Sequence, residues 1–220
     1  MSRCSIKLAL LDVDGVIVPL RSSWGYVHEV LGTVEQAKLN YMLFRRGAIG
    51  YWEWMYLDTL AWIEARPGIT RWDLKSIFSK VDPYPEAEEA VKRLKKAGVG
   101  VALVSGGVSV LVEMVARRLG VEEWYAPRLA FDPWGRLVPG GYPLVEADRK
   151  DRWVKRVAAK HGLSLRNVAF VGDSSWDVRG MRESCLSIAV NPMDEEVLRA
   201  ADYVAANVLE AAEIIVEYAA

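Results

Sequence analysis

Cysteine, side-chain amides, net charge and long apolar runs are all scarce in this chain of 220 residues. Two cysteines, Cys4 and Cys185, are too few for a disulfide framework or a zinc site, so a reduced chain is expected. The formal net charge is −1, which gives no global electrostatic reason to bind nucleic acid or an anionic membrane. No apolar run approaches the roughly 18 residues of a membrane helix. The stretch from Leu8 to Val18 is apolar but carries Asp12 and Asp14, which would be costly in lipid. No charged-then-apolar leader opens the chain, so a soluble, cytoplasmic protein is expected. Asn and Gln together number only five, a hint of a thermophilic source because amides are thermolabile.

What is plentiful is core material. Hydrophobic residues make up 52% of the chain and charged residues 26%, enough to bury a sizeable core and far from a disordered composition. Four short runs, Ile6–Leu11, Val99–Val104, Val168–Val171 and Ser187–Val190, are apolar without alternation, as strands buried on both faces of a parallel sheet are. Helical patterns alternate with them at Glu86–Ala97, Val108–Leu119, Arg152–His161, Trp176–Glu183 and Asp194–Ala201, the first and third closed by Gly98 and Gly162. The alternation predicts an α/β fold: an open, Rossmann-like parallel sheet with helices on both faces. Phe131 to Leu137 has a turn core and reads as a small hairpin.

Residues 20–80 break the alternation and read as helix after helix: Trp24–Leu31, Val34–Arg46, Tyr51–Ala65 and Arg71–Ser79. This predicts an α-helical cap, residues 19–81, inserted into a core of residues 1–18 and 82–220. Half of the 22 aromatic residues lie in that insertion. Trp52, Trp54, Trp62 and Trp72 read either as a bundle core or as a substrate wall or homodimer face.

The chemistry lies where strands end. The first strand runs into Asp12-Val13-Asp14-Gly15, and a later one into Gly172-Asp173-Ser174-Ser175-Trp176-Asp177. Loops at the carboxyl ends of strands form the active crevice of open α/β sheets, so neighbouring strands would bring four carboxylates together there. Two like charges ~4 Å apart repel by about 4 kcal/mol at an effective dielectric of ~20, so such a cluster needs a divalent cation or protonation. Oxygen-only ligands favour Mg²⁺ over zinc. Between these motifs, Ser105-Gly106-Gly107 sits after a strand and before a helix, where a hydroxyl and exposed N–H groups make an anion site. Lys150, at a helix start, offers an ammonium between the anion and the carboxylates.

Asp12-Val13-Asp14-Gly15-Val16, Ser105, Lys150 and Gly172-Asp173…Asp177, in this order, resemble the four motifs of the haloacid dehalogenase superfamily of phosphohydrolases, most closely its phosphoserine phosphatase-like branch. The resemblance implies hydrolysis of a small phosphorylated metabolite. Asp12 would be the nucleophile and Asp14 the general acid and base. Mg²⁺ would be held by Asp12, the Asp14 carbonyl and Asp173, with Asp177 ligating or standing behind. Ser105, Gly106 and Lys150 would bind the phosphoryl oxygens. One position departs: phosphoserine phosphatases carry a Glu nine residues after the nucleophile, for the substrate ammonium, and this chain has Arg21. A loose match also puts Asp58 where they carry an Arg for the substrate carboxylate. Arg21 is therefore a candidate substrate residue, and phosphoserine is expected to be a poor substrate. Two other classes compete. A signalling receiver domain needs neither Asp14 nor the insertion, and a catalytically weak binding or assembly module does not need the intact acids.

Overall fold

The computed structural model describes residues 4–219. Its strands are β1 (Leu8–Leu11), β2 (Gly100–Val104), β3 (Glu123–Tyr125), β4 (Arg128–Phe131), β5 (Leu137–Tyr142), β6 (Val168–Gly172), β7 (Leu186–Val190) and β8 (Tyr203–Ala205). Six of them form one parallel sheet in the order β3-β2-β1-β6-β7-β8. The central strands are buried on both faces, which is why they show no polar alternation. The pleat still divides them. Ala9, Leu11, Ala169 and Val171 enter one core, while Leu8, Leu10, Val168 and Phe170 enter the other.

Helices cover both faces, as the pattern predicts. The first core is closed by α5 (Ala87–Lys96), α6 (Ser109–Arg118) and α10 (Val208–Glu217). The second is closed by α7 (Lys150–Lys160), α8 (Val178–Glu183) and α9 (Glu195–Ala200). The amphipathic α5 shows how: Ala87, Ala90, Val91 and Leu94 face the sheet at helical spacing, and its lysines face water.

Between β1 and α5 lie four helices, α1 (Ser23–Leu31), α2 (Val34–Arg45), α3 (Tyr51–Ala65) and α4 (Arg71–Phe78). Ser22 caps α1 by accepting from Gly25 N–H, and Thr70 caps α4 in a reciprocal box with Asp73. The hairpin β4–β5 stands apart from the main sheet and packs on the inserted helices. Gly140 N–H donates to Thr59 Oγ1 at 2.6 Å, Trp52 Nε1 to the Gly141 carbonyl at 3.1 Å, and Arg71 N–H to the Gly135 carbonyl at 2.9 Å.

The tryptophans divide between the two readings. Trp62 is fully buried beneath Trp24, Trp54 lies on a cavity wall, and Trp52 and Trp72 are exposed.

One expectation is corrected. Cys4 and Cys185 form a disulfide, with their Cα atoms 5.9 Å apart across 181 residues of sequence. Ser5 N–H bonds the Arg166 carbonyl and Cys185 N–H the Val168 carbonyl, so the segments entering β1 and β7 meet beside the start of β6. A single pair needs only this proximity, which a count of cysteines does not reveal. A bridge over so long a loop is worth roughly 2–4 kcal/mol.

Candidate active site

β1 is the switch point of the sheet: its neighbour on one side is β2, the next strand in the chain, and on the other β6. Leu11 pairs with Leu103 in one direction and Val171 in the other. Asp12, Ser105 and Asp173 thus leave three adjacent strands at the same carboxyl end, where open sheets place ligands.

Asp12 is buried and its Oδ2 lies 2.8 Å from Lys150 Nζ, while Oδ1 is buried with no hydrogen-bond partner among the described residues. The same ammonium reaches Asp177 Oδ1 at 2.6 Å. Asp177 Oδ2 accepts from the N–H groups of Asp173 and Ser174 at 3.1 and 3.2 Å. Asp177 therefore anchors Lys150 and the loop after β6. One carboxylate oxygen from each of Asp12, Asp173 and Asp177 lies within 4.8 Å of the others. The carboxylate of Asp14 stands outside that group and turns toward α1.

These acids are held in an unfavourable state. Burial raises the Asp12 carboxyl to about 7, with Lys150 opposing the rise and Asp177 and Asp14 adding to it. Burial, then the charges of Asp177 and Asp12, raise Asp173 to about 9. Burial also raises Asp14. Lys150 stays above the ordinary lysine range, because Asp12 and Asp177 outweigh the cost of burying its charge. An all-oxygen donor set, with one orphaned buried oxygen and raised carboxylates, fits a small hard divalent cation. Gly15 has φ +74°, and a Cβ there would sit 1.9 Å from Asp173 Oδ2.

Ser105 Oγ accepts from Gly107 N–H at 3.1 Å and keeps its own proton to donate. Gly106 N–H is bonded to no described residue. Its Cα packs so closely on Ala147 that a Cβ would lie 2.6 Å from the Ala147 side chain. This contact fixes the Ser105 loop against the segment leading to Lys150. Ser105, Gly106 and Lys150 line the same cavity as Asp12.

The inserted helices close over this end, and they contribute residues that the motifs do not reveal. Ser23 donates to Asp14 Oδ2 twice, from N–H at 2.7 Å and from Oγ at 2.8 Å, and its Oγ accepts from Val108 N–H at 2.8 Å. Asp14 Oδ1 is left buried and without a partner among the described residues. Trp24 Nε1 donates to the Gly106 carbonyl at 3.0 Å. Together they border an open cavity of about 360 Å³, lined by Asp12, Asp14, Asp173, Ser105, Gly106 and Lys150 and by residues of the inserted helices. Arg21 is exposed on the cavity lining and pairs with no described acid. Asp58 and His28 line it too, both buried. The aromatic wall is Tyr41, Trp54 and Trp176, with Phe44 stacked behind Trp54 at 4.6 Å.

The profile of the haloacid dehalogenase-like hydrolases matches residues 9–182. A phosphoserine phosphatase of Archaeoglobus fulgidus is 30% identical over 202 residues, 88% of this chain and 54% of that protein. A phosphoglycolate phosphatase of Neisseria meningitidis is 25% identical over 165 residues, 74% of this chain and 58% of that one. The chain thus spans little more than half the length of these relatives. A solved structure described as a phospho-aspartyl intermediate analogue of phosphoserine phosphatase superposes with a TM-score of 0.76. It is 22% identical, and the match covers 98% of this chain and 100% of that one. That likeness shows the shared fold.

Proposed function

Because the chain belongs to the haloacid dehalogenase-like hydrolases, we propose that it hydrolyses small-molecule phosphomonoesters through an aspartyl-phosphate on Asp12. The observation that carries this reading is the orphaned Asp12 Oδ1, buried between the Ser105 loop and the Asp173 loop with Lys150 fixed on its other oxygen. The curated relatives, phosphoserine and phosphoglycolate phosphatases, act in the same chemical class.

Ser105 Oγ, Gly106 N–H and Lys150 Nζ hold the phosphoryl oxygens and spread their charge. Asp12 attacks phosphorus, and the bond to the leaving oxygen breaks as that oxygen takes a proton from Asp14. Asp14 then takes a proton from water. The water oxygen attacks phosphorus, the Asp12–phosphate bond breaks, and inorganic phosphate leaves. Ser23 occupies Asp14 Oδ2, so Oδ1 is the oxygen that carries the proton. Burial raises Asp14, which favours the protonated form needed for the first step. Asp12, Asp173 and the Asp14 carbonyl would hold Mg²⁺, with Asp177 behind them. When bound, the ion offsets repulsion between the nucleophile and the phosphate.

Residues 19–81 serve as the cap over this site. With Arg21 where phosphoserine phosphatases carry an acid, phosphoserine is a poor substrate. A cytoplasmic location fits the small-metabolite reading, and intracellular disulfides occur in hyperthermophiles, which the shortage of amides also suggests.

The test is phosphate release from p-nitrophenyl phosphate. Steady turnover with Mg²⁺, lost in EDTA and restored by Mg²⁺, supports the reading. Absence of turnover across a panel of phosphomonoesters with Mg²⁺, or full turnover in EDTA after dialysis, overturns it.

A further inference from the structure

Two of the cavity's lining residues, Asp58 and His28, belong to a polar cluster that the hydrolytic step does not use. Asp58, on α3, is 3% exposed and accepts one hydrogen bond, from Asn40 Nδ2 on α2 at 2.8 Å. No other described donor bonds it. His28, on α1, is 1% exposed, with Nδ1 2.7 Å from Thr33 Oγ1. Its Nε2 lies 3.5 Å from Asp58 Oδ1 and has no hydrogen-bond partner among the described residues. A buried carboxylate with one neutral donor and a buried imidazole nitrogen with none are both costly, and a group entering the cavity can relieve them.

The kind of group follows from the protons. A charged imidazole carries a hydrogen on Nε2. A neutral ring carries it there too, since the other tautomer would aim a lone pair at the Asp58 carboxylate while Thr33 can donate to Nδ1. Asp58 and His28 both line the cavity, so an acceptor lies there with a donor, His28 Nε2–H, 3.5 Å away. One hydroxyl satisfies both, donating to the first and accepting from the second. An ammonium satisfies only Asp58, and a carboxylate only His28. Trp54, one turn before Asp58 on α3, has an indole N–H that is also buried without a partner among the described residues, a further donor for a second hydroxyl on the same ligand. We infer that His28 and Asp58, positioned by Thr33 and Asn40, form a subsite that reads a hydroxyl on the leaving group, so that the preferred substrates are phosphorylated polyols or sugars. This inference rests on the phosphatase reading above and names its substrate class.

The experiment compares kcat/KM for glycerol, erythritol and ribitol monophosphates, phosphorylated on a terminal carbon, with n-propyl, n-butyl and n-pentyl phosphate and with L-phosphoserine. p-Nitrophenyl phosphate serves as the reference for turnover. At least one polyol phosphate is expected to exceed the alkyl phosphate of its own length by roughly ten- to hundredfold, the worth of one or two buried hydrogen bonds involving a charged group. That ratio is expected to fall toward one in Asp58→Asn and in His28→Gln. Because the ratio is taken within each protein, loss of folded material does not alter it, and the wild-type ratio decides even where a variant does not fold. A wild type that turns over p-nitrophenyl phosphate but shows no polyol preference overturns the inference and leaves the phosphatase reading standing. So does a wild type that prefers L-phosphoserine. An unchanged ratio in both variants assigns the pair a structural role and overturns it as well. A wild type inactive on every ester overturns the phosphatase reading itself.

Discussion

At the scale of single residues, the site is a problem of like charges solved by pairing each acid differently. Asp177 is neutralised by Lys150 and two N–H groups, Asp12 shares the same ammonium, and Asp14 leans on Ser23. The two carboxylates of the first motif thus have separate surroundings, which is what separate roles demand. Asp14→Asn is expected to slow turnover by ~10²–10⁴, the usual range for losing acid–base help, with the fold intact by circular dichroism. Ser23→Ala removes one of the two donors that fix Asp14. Misplacing a reacting group is costly, so kcat should fall roughly 10- to 100-fold with KM nearly unchanged. Steady-state kinetics of both variants, in which an unaffected Ser23→Ala would deny Ser23 its positioning role, checks this. The acids and Ser105 were legible in the sequence because they follow apolar runs, and Lys150 because it stands at a helix start. Ser23, Trp24 and His28 were not. Their partners are 9, 82 and 30 residues away, and only the docking of helices brings them together.

At the scale of elements, the central strands and most helices were plain from apolar runs and caps. The edge strands β3 and β8 were not, because three residues of sequence carry too little pattern. The helix α10 had usable signals, an Asn207 cap ahead of Val208, Ala211, Ala212 and Ile215 at helical spacing. The hairpin was legible, but its partner was not: it lies among core elements in the chain yet bonds to α3 and α4. Trp176 makes the converse link. It follows β6 yet lies within 6.4 Å of the Tyr41, Phe44 and Trp54 rings, joining the Asp173 loop to the inserted helices. Trp176→Ala should therefore raise KM several-fold while lowering kcat less, because the aromatic wall is breached and the acids stay in place. Equal loss in kcat and no change in KM would place Trp176 in the chemistry instead.

At the scale of the whole molecule, the fold stores electrostatic cost at one end of the sheet. Asp12 and Asp173 are raised from 3.8 to about 7 and about 9, so without metal the folded state binds protons more tightly than the unfolded chain. For these two groups the contribution to stability is full below about pH 4, and it is lost as pH rises through 7 toward 9. Metal-free protein should show a Tm that falls across this range, and Mg²⁺ should raise Tm more at pH 8 than at pH 5. A metal-free Tm that rises from pH 5 to pH 8, with no gain from Mg²⁺, would contradict that picture. The arrangement of three adjacent strand ends under one set of helices points to a single carboxylate, Asp12, as the one that would carry the phosphoryl group. The direct measurement is to quench the enzyme in acid during turnover, reduce any acyl phosphate with borohydride, and sequence the peptides by mass spectrometry. Homoserine is expected at position 12 in the wild type and none in Asp12→Asn. Turnover with no reduced residue at position 12, or with the label on another acid, would contradict it.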